Sequence, residues 1–300
     1  MPKTLVVITG PTGIGKTSVG IEIARHFNTE ILSSDSRQIF KELTIGTAVP
    51  EKHELAAIKH HFVQNHSITE NYNASRYETE ALELLDNLFN TRDIVIMVGG
   101  SMLYIDAICK GIDTMPDADP EIRASLKEEL DKNGLESLRL QLKTLDPVYY
   151  KTVDLKNPNR IIHALEISIQ TGKPYSSFRS NKNKERPFSI VKIALNCNRE
   201  TLHNRINLRV KKMVKAGLEQ EARSLYPQKQ LNSLNTVGYR EFFAYFDGEI
   251  TRDKAIELIK RNSRRYARKQ ITWFRKDETV SWFEPTMVKE IIAFIETQLK

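Results

Sequence analysis

Apolar residues fall in short dense runs at Val6 to Thr9, Glu30 to Ser33, Ile94 to Val98 and Ile190 to Asn196, a pattern that predicts β-strands. Between the first three runs, at Ser18 to Phe27 and Tyr77 to Leu88, apolar residues recur at the three- and four-residue steps of an amphipathic helix. Strands that alternate with helices imply a parallel α/β sheet. From Met115-Pro116 to Arg186-Pro187 the strand pattern stops. Helical segments are expected at Pro120 to Asn133, Leu135 to Leu145 and Asn159 to Thr171, punctuated by Pro120, Gly134, Pro147, Pro158 and Gly172. The pattern therefore divides the chain into a first core segment at 1–115, a helical insertion at 116–187 and a second core segment at 188–300. The second core segment is expected to be helical over Glu200 to Tyr226 and Arg252 to Lys276, with Gly238 in a loop between.

The first strand leads into Gly10-Pro11-Thr12-Gly13-Ile14-Gly15-Lys16-Thr17 and then into a helix. This is the phosphate-binding P-loop signature. Its glycines let backbone N–H groups turn inward on a polyphosphate, Lys16 adds a charge and the Thr17 hydroxyl can reach Mg²⁺. The helix N-terminus behind the loop adds a partial positive charge. The expected fold is thus α/β, a P-loop NTPase-like parallel sheet core with a helical insertion domain.

Composition narrows the classes of function. The 300 residues are 40% hydrophobic, enough for a sizeable core, and the two cysteines, Cys109 and Cys197, are too few and too far apart for a disulfide framework or a zinc site. The start Met1-Pro2-Lys3-Thr4 runs straight into the first strand and no apolar segment approaches a membrane span, so a cytoplasmic protein with no membrane contact is expected. The net charge of +7 matters through its distribution. Arg261, Arg264, Arg265, Arg268, Lys269, Arg275 and Lys276 recur mostly at helical steps with no acidic residue between Arg261 and Lys276, and Tyr266, Trp273 and Phe274 are interleaved. Such a ridge suits a nucleic-acid backbone.

The strand at Ile94 to Val98 decides what the P-loop serves. A P-loop hydrolase ends this strand in an acid that anchors Mg²⁺, whereas here it runs into Gly99-Gly100-Ser101-Met102-Leu103-Tyr104. A motor-type ATPase is disfavoured. A carboxylate ends the second strand instead: Asp35 is the general-base candidate, and it is equally suited to cap the segment Ser36 to Phe40. His60 and His61, with His53 and His66, are expected to pack or hydrogen-bond rather than bind metal.

Over nearly its whole length the chain resembles the tRNA dimethylallyltransferases, also called tRNA isopentenyltransferases. Beyond the P-loop, the resemblance rests on Ser34-Asp35-Ser36, Ile45-Gly46-Thr47-Ala48-Val49-Pro50, His60-His61, Val98-Gly99-Gly100-Ser101-Met102-Leu103-Tyr104 and Asp117-Ala118-Asp119-Pro120. It continues through Asn157-Pro158-Asn159-Arg160-Ile161, Ala164-Leu165-Glu166, Thr171-Gly172-Lys173-Pro174, Val237-Gly238-Tyr239-Arg240 and Lys269-Gln270-Ile271-Thr272-Trp273-Phe274-Arg275, in that order. The resemblance implies transfer of a dimethylallyl group from dimethylallyl diphosphate to the exocyclic N6 amine of the adenosine 3′ of the anticodon, with Mg²⁺ as cofactor. Residues Gly10 to Thr17 would then hold the diphosphate rather than ATP, and Thr17 would meet the Mg²⁺. Catalytic roles would fall on Asp35, Lys16, Thr17, Ser101 and Arg240. The tRNA anticodon stem-loop would meet Asp35, Ser36, Arg37, Gln38, Ser101, Arg123, Asn159, Arg160, Ile161, Ile162, His163, Asn235, Thr236, Val237, Gly238, Tyr239 and Arg240. Departures from the family pattern are Ser101 for the usual Thr, Phe40 for Tyr, His163 for Arg and Glu241 for Gln. A monomer is expected. The rival readings are a P-loop nucleotide kinase, an adenylate isopentenyltransferase and a non-catalytic RNA-binding module; the order of the downstream motifs disfavours the first and the last, and the long helical insertion with the C-terminal basic ridge favours tRNA over a free mononucleotide.

Overall fold

The computed structural model describes residues 2–116, 119–180 and 183–299, so Asp117 and Ala118 of the Asp117-Ala118-Asp119-Pro120 motif lie outside the described residues. In chain order the elements are β1 (Thr4–Thr9), α1 (Lys16–His26), β2 (Ile31–Ser34), α2 (Lys52–Ala57), β3 (His60–His61), α3 (Ala74–Phe89), β4 (Ile94–Gly99) and α4 (Met102–Lys110). Next come α5 (Pro120–Leu145), α6 (Pro147–Tyr150) and α7 (Pro158–Thr171). The chain ends with β5 (Ser189–Leu195), α8 (Arg199–Lys215), α9 (Leu218–Leu225), α10 (Tyr239–Phe246), α11 (Arg252–Phe274), β6 (Val280–Phe283) and α12 (Val288–Gln298). Two compact units form: Met1–Cys109 with Glu185–Lys300, and Lys110–Lys184. The change of pattern in the sequence sets the helical segment at 116–187 instead.

The first unit is built on six strands in the order β3-β2-β4-β1-β5-β6, every neighbouring pair parallel. Alternation along the central strands separates two cores. Leu5, Val7, Val95 and Met97 join one cluster, while Val6, Ile8, Ile94, Ile96 and Val98 join the other, so both faces are covered as parallel sheets require. The four predicted strands are present to within one or two residues at their ends. Two short ones, β3 and β6, carry no apolar run. Glu200 to Tyr226 is not one helix, because Gly217 at φ 107° separates α8 from α9. Gly238 caps α10 directly, with its N–H bonded to the buried Glu241 at 2.8 Å. No helix among the described residues is long and apolar enough to cross a membrane.

The second unit has its own core, made of Leu126, Leu138, Leu142, Tyr149, Ile161, Leu165 and their neighbours. α5 is two helices joined at Gly134, which has non-helical φ 74°. Asp119, Asp146 and Asn157 cap α5, α6 and α7, and proline opens all three helices. The Glu166 carboxylate on α7 is wholly buried. It accepts two hydrogen bonds of 2.6 Å from Arg123 and one of 2.6 Å from His163. Burial raises its pKa, but the bonds from His163 and Arg123 outweigh that and hold it below the usual carboxylate value. Because the folded value is depressed, this network stabilises the fold above the ordinary carboxylate range and the contribution is lost as pH falls through the folded value. Glu166→Gln should therefore lower unfolding free energy by about 2 kcal/mol at neutral pH. Thermal unfolding of the two proteins should converge as pH falls below the depressed folded value of Glu166.

Candidate active site

The sheet sets β4 between β1 and β2, which brings the carboxyl ends of the three strands together, the usual ligand crevice of an open parallel sheet. The loop after β1 contains Gly10, Gly13 and Gly15 with φ of 136°, 81° and 103°, values an L side chain rarely adopts. At Gly10 a Cβ would also lie 2.5 Å from the Leu195 carbonyl oxygen of β5. No side chain caps α1, so its first N–H groups and the positive end of its dipole remain for an anion. Lys16 Nζ donates to the carbonyls of Gly10 at 2.9 Å and Pro11 at 3.0 Å. Burial, aided by the charge of Arg209, pulls the Lys16 ammonium down to about 7, against the opposing pull of Asp35.

The β2 end supplies Asp35, whose Oδ1 accepts the N–H of Arg37 at 2.9 Å and of Gln38 at 3.2 Å. One carboxylate oxygen thus serves as a cap. The residue also lines a cavity of about 300 Å³. The β4 end supplies Ser101, whose Oγ accepts the Ser36 N–H at 2.8 Å, donates to Ser36 Oγ at 3.1 Å and is hydrogen-bonded with the Tyr266 hydroxyl. Burial, with Asp35 nearby, pushes that phenol up to about 12.

Of the residues expected from the sequence, Thr12, Asp35, Ser36, Arg37, Ser101, Asn235, Thr236, Val237 and Arg240 meet at this cavity. Lys16 stands close enough to feel both Asp35 and Arg209. Others are engaged within the fold. Gln38 donates its amide to the Thr47 and Ala48 carbonyls at 3.2 and 2.9 Å. Tyr239 is fully buried and gives its hydroxyl to Glu221 at 2.6 Å, so its side chain cannot meet an RNA. The same correction applies to Ile161 and Ile162, both core residues of the second unit. Arg123, Asn159, Arg160 and His163 also belong to that unit, with Asn159 and Arg160 exposed. His61 bonds Glu30 at 2.6 Å and His60 the Ile58 carbonyl at 2.8 Å.

Two residues at the site were given no role from the sequence: Arg209, which lies in no motif, and Gln270, which stands in the Lys269-Gln270-Ile271-Thr272-Trp273-Phe274-Arg275 motif. Arg209 on α8 lines the cavity and donates to the Thr47 carbonyl at 3.3 Å. It lies within the stripe of Leu202, Ile206, Val210 and Met213, so a cation on the apolar face of a helix was the available signal. Gln270 on α11 is the second, an amide in a seam that contains Ile259, Ala267 and Phe274. Asp35 is the only acid among the cavity's described lining residues, against Arg37, Arg209 and Arg240. Burial disfavours the charged forms of Arg37 and Arg209, the Arg240 charge adds to the cost at Arg37, and an anion would relieve it.

The family model for IPP transferases matches residues 38–277. The chain is 53% identical to a tRNA dimethylallyltransferase of Bacteroides fragilis over 298 residues, 99% of each chain. It is 52% identical to one of Christiangramia forsetii over 300 residues, covering 100% of this chain and 99% of the relative. Among solved structures, a full-length tRNA isopentenylpyrophosphate transferase of Bacillus halodurans superposes with a TM-score of 0.72 at 33% identity, covering 99% of this chain and 97% of that one.

Proposed function

The chain belongs to the IPP transferase family, and on that premise we propose that it transfers a dimethylallyl group from dimethylallyl diphosphate to the N6 amine of the adenosine 3′ of the anticodon, releasing diphosphate. The observation that supports this reading most is the meeting of Asp35 with Arg209 and the P-loop's Thr12 around one cavity. The amine nitrogen attacks the first carbon of the dimethylallyl group, the C–O bond breaks and its electron pair leaves with the diphosphate. Asp35 orients the amine and takes the proton it sheds. The loop amides, Lys16 and Arg209 stabilise the charge that grows on the leaving group, and Arg240 supplies a further cation.

Among the described residues no cluster of three or more His, Cys, Asp or Glu forms a metal cage. Mg²⁺ needs none, since it keeps several waters and is bound through one or two protein oxygens with substrate phosphates. The Thr17 hydroxyl, at the first turn of α1, is a donor of that kind, and a bound Mg²⁺ would neutralise diphosphate charge. The target base must leave its stack, at a cost of about a few kcal/mol, so tRNA has to be gripped elsewhere. The protein would act as a cytoplasmic monomer.

The proposed grip is the outer side of α11. Arg261, Arg265, Arg268 and Lys269 are exposed, whereas Arg264 is half-buried and bonded to Asn207 at 2.6 Å, and Arg275 lies 6.0 Å from the Trp282 ring. Neutralising Arg261, Arg265 and Arg268 together should make the salt dependence of tRNA binding shallower by about 0.7 to 0.9 log units for each phosphate no longer neutralised. Use of dimethylallyl diphosphate should barely change. An unchanged salt slope would make this face a solvated surface only. The kinase alternative is tested with γ-labelled ATP and nucleosides, where no label transfer is expected.

A further inference from the structure

Gln270 is only 2% exposed, yet it connects two of the loops that form the site. Its Oε1 accepts the Thr12 N–H of the P-loop at 2.8 Å, and its Nε2 donates to the Gly100 carbonyl beyond β4 at 2.8 Å. The space there is tight. A Cβ on Gly100 would lie 2.4 Å from Gln270 Nε2 and 3.3 Å from Lys16 Nζ, so the carboxamide and the ammonium flank one point. In a triphosphate-binding P-loop the lysine reaches the β and γ phosphates, and the neighbouring strand supplies the acid that holds Mg²⁺ beside them. Here that place beside Lys16 holds an uncharged amide with both of its ends bonded.

We propose that Gln270 is the specificity-determining residue that limits this P-loop to a diphosphate, because its carboxamide fills the place of a third phosphoryl group. The exclusion is steric and also a matter of hydrogen bonding. A phosphate that displaced the carboxamide would accept the Thr12 N–H in its stead, but it offers no proton to the Gly100 carbonyl, which would be left buried and unpaired. This inference rests on the P-loop's holding the prenyl diphosphate.

Calorimetric titration with inorganic pyrophosphate and with inorganic tripolyphosphate, each with Mg²⁺, tests it without requiring turnover. The unaltered protein should bind tripolyphosphate about tenfold or more weakly than pyrophosphate, within the range that pocket exclusion achieves. In Gln270→Ala the ratio should fall to about threefold or less, through tighter tripolyphosphate binding. Gln270→Asn, which draws the amide back by one methylene, should shift the ratio the same way and carries the test if the alanine variant does not fold. General loosening of the loop would weaken both ligands alike and leave the ratio unmoved. A folded variant of either kind with an unchanged ratio overturns the proposal. Failure of pyrophosphate to bind the unaltered protein would instead sink the diphosphate reading of the loop itself.

Discussion

Asp35→Asn should lower kcat for prenyl transfer by about a hundredfold or more, with tRNA affinity within a small factor of the unaltered protein. Asparagine keeps a carbonyl oxygen where Asp35 Oδ1 accepts the N–H groups of Arg37 and Gln38, so the turn after β2 is preserved. What it removes is the basicity and the negative charge. Asp35→Ala removes the cap as well and should add a loss of about 1 kcal/mol in stability, so the pair of variants separates the two roles. Single-turnover rates at saturating tRNA, with thermal unfolding of both variants, check this. Near-normal turnover in Asp35→Asn would reduce the residue to a cap.

Lys16→Ala should lower kcat/KM for dimethylallyl diphosphate by about 10²- to 10³-fold, the scale seen when one preorganised stabiliser of a developing anion is removed. The loss should appear at the diphosphate and not at the RNA, because Lys16 is folded onto the carbonyls of Gly10 and Pro11 within the loop. Thr17→Ala should act on the same ligand by a different route, raising the Mg²⁺ concentration needed for half-maximal rate. Steady-state kinetics at varied diphosphate and Mg²⁺, beside a direct measurement of tRNA affinity, distinguishes them. Equal loss of tRNA binding in Lys16→Ala would contradict the assignment of the loop to the small substrate.

The sheet was legible because β1 and β4 are buried on both faces and so read as uninterrupted apolar runs. β3 and β6 were not: His60–His61 and Val280–Phe283 are short edge strands without that pattern, formed because their neighbours β2 and β5 offer a pairing edge. The P-loop and Asp35 were legible through local constraint, glycines at positive φ and an acid at a strand end. Arg209 was not, since it is one polar residue in an apolar helical stripe and only the tertiary fold gives it a partner; Gln270 stood in a motif, but its partners, the Thr12 N–H and the Gly100 carbonyl, come only with the fold. The apparent role of Tyr239 failed for the opposite reason. Its place beside Arg240 in a motif hides that the side chain points into the core, against Gly46 and Glu221.

In the proposed reaction this cavity joins the dimethylallyl group of its diphosphate to an adenosine of tRNA and releases the diphosphate. Incubating the protein with labelled dimethylallyl diphosphate, Mg²⁺ and unmodified tRNA, then digesting the RNA and identifying the labelled nucleoside by mass, tests it most directly. One labelled product is expected, adenosine carrying the dimethylallyl group on N6, from the position 3′ of the anticodon, and it should be lost in Asp35→Asn. Label that stays in the small-molecule fraction, or that appears on free adenine nucleotides but not on tRNA, would contradict it.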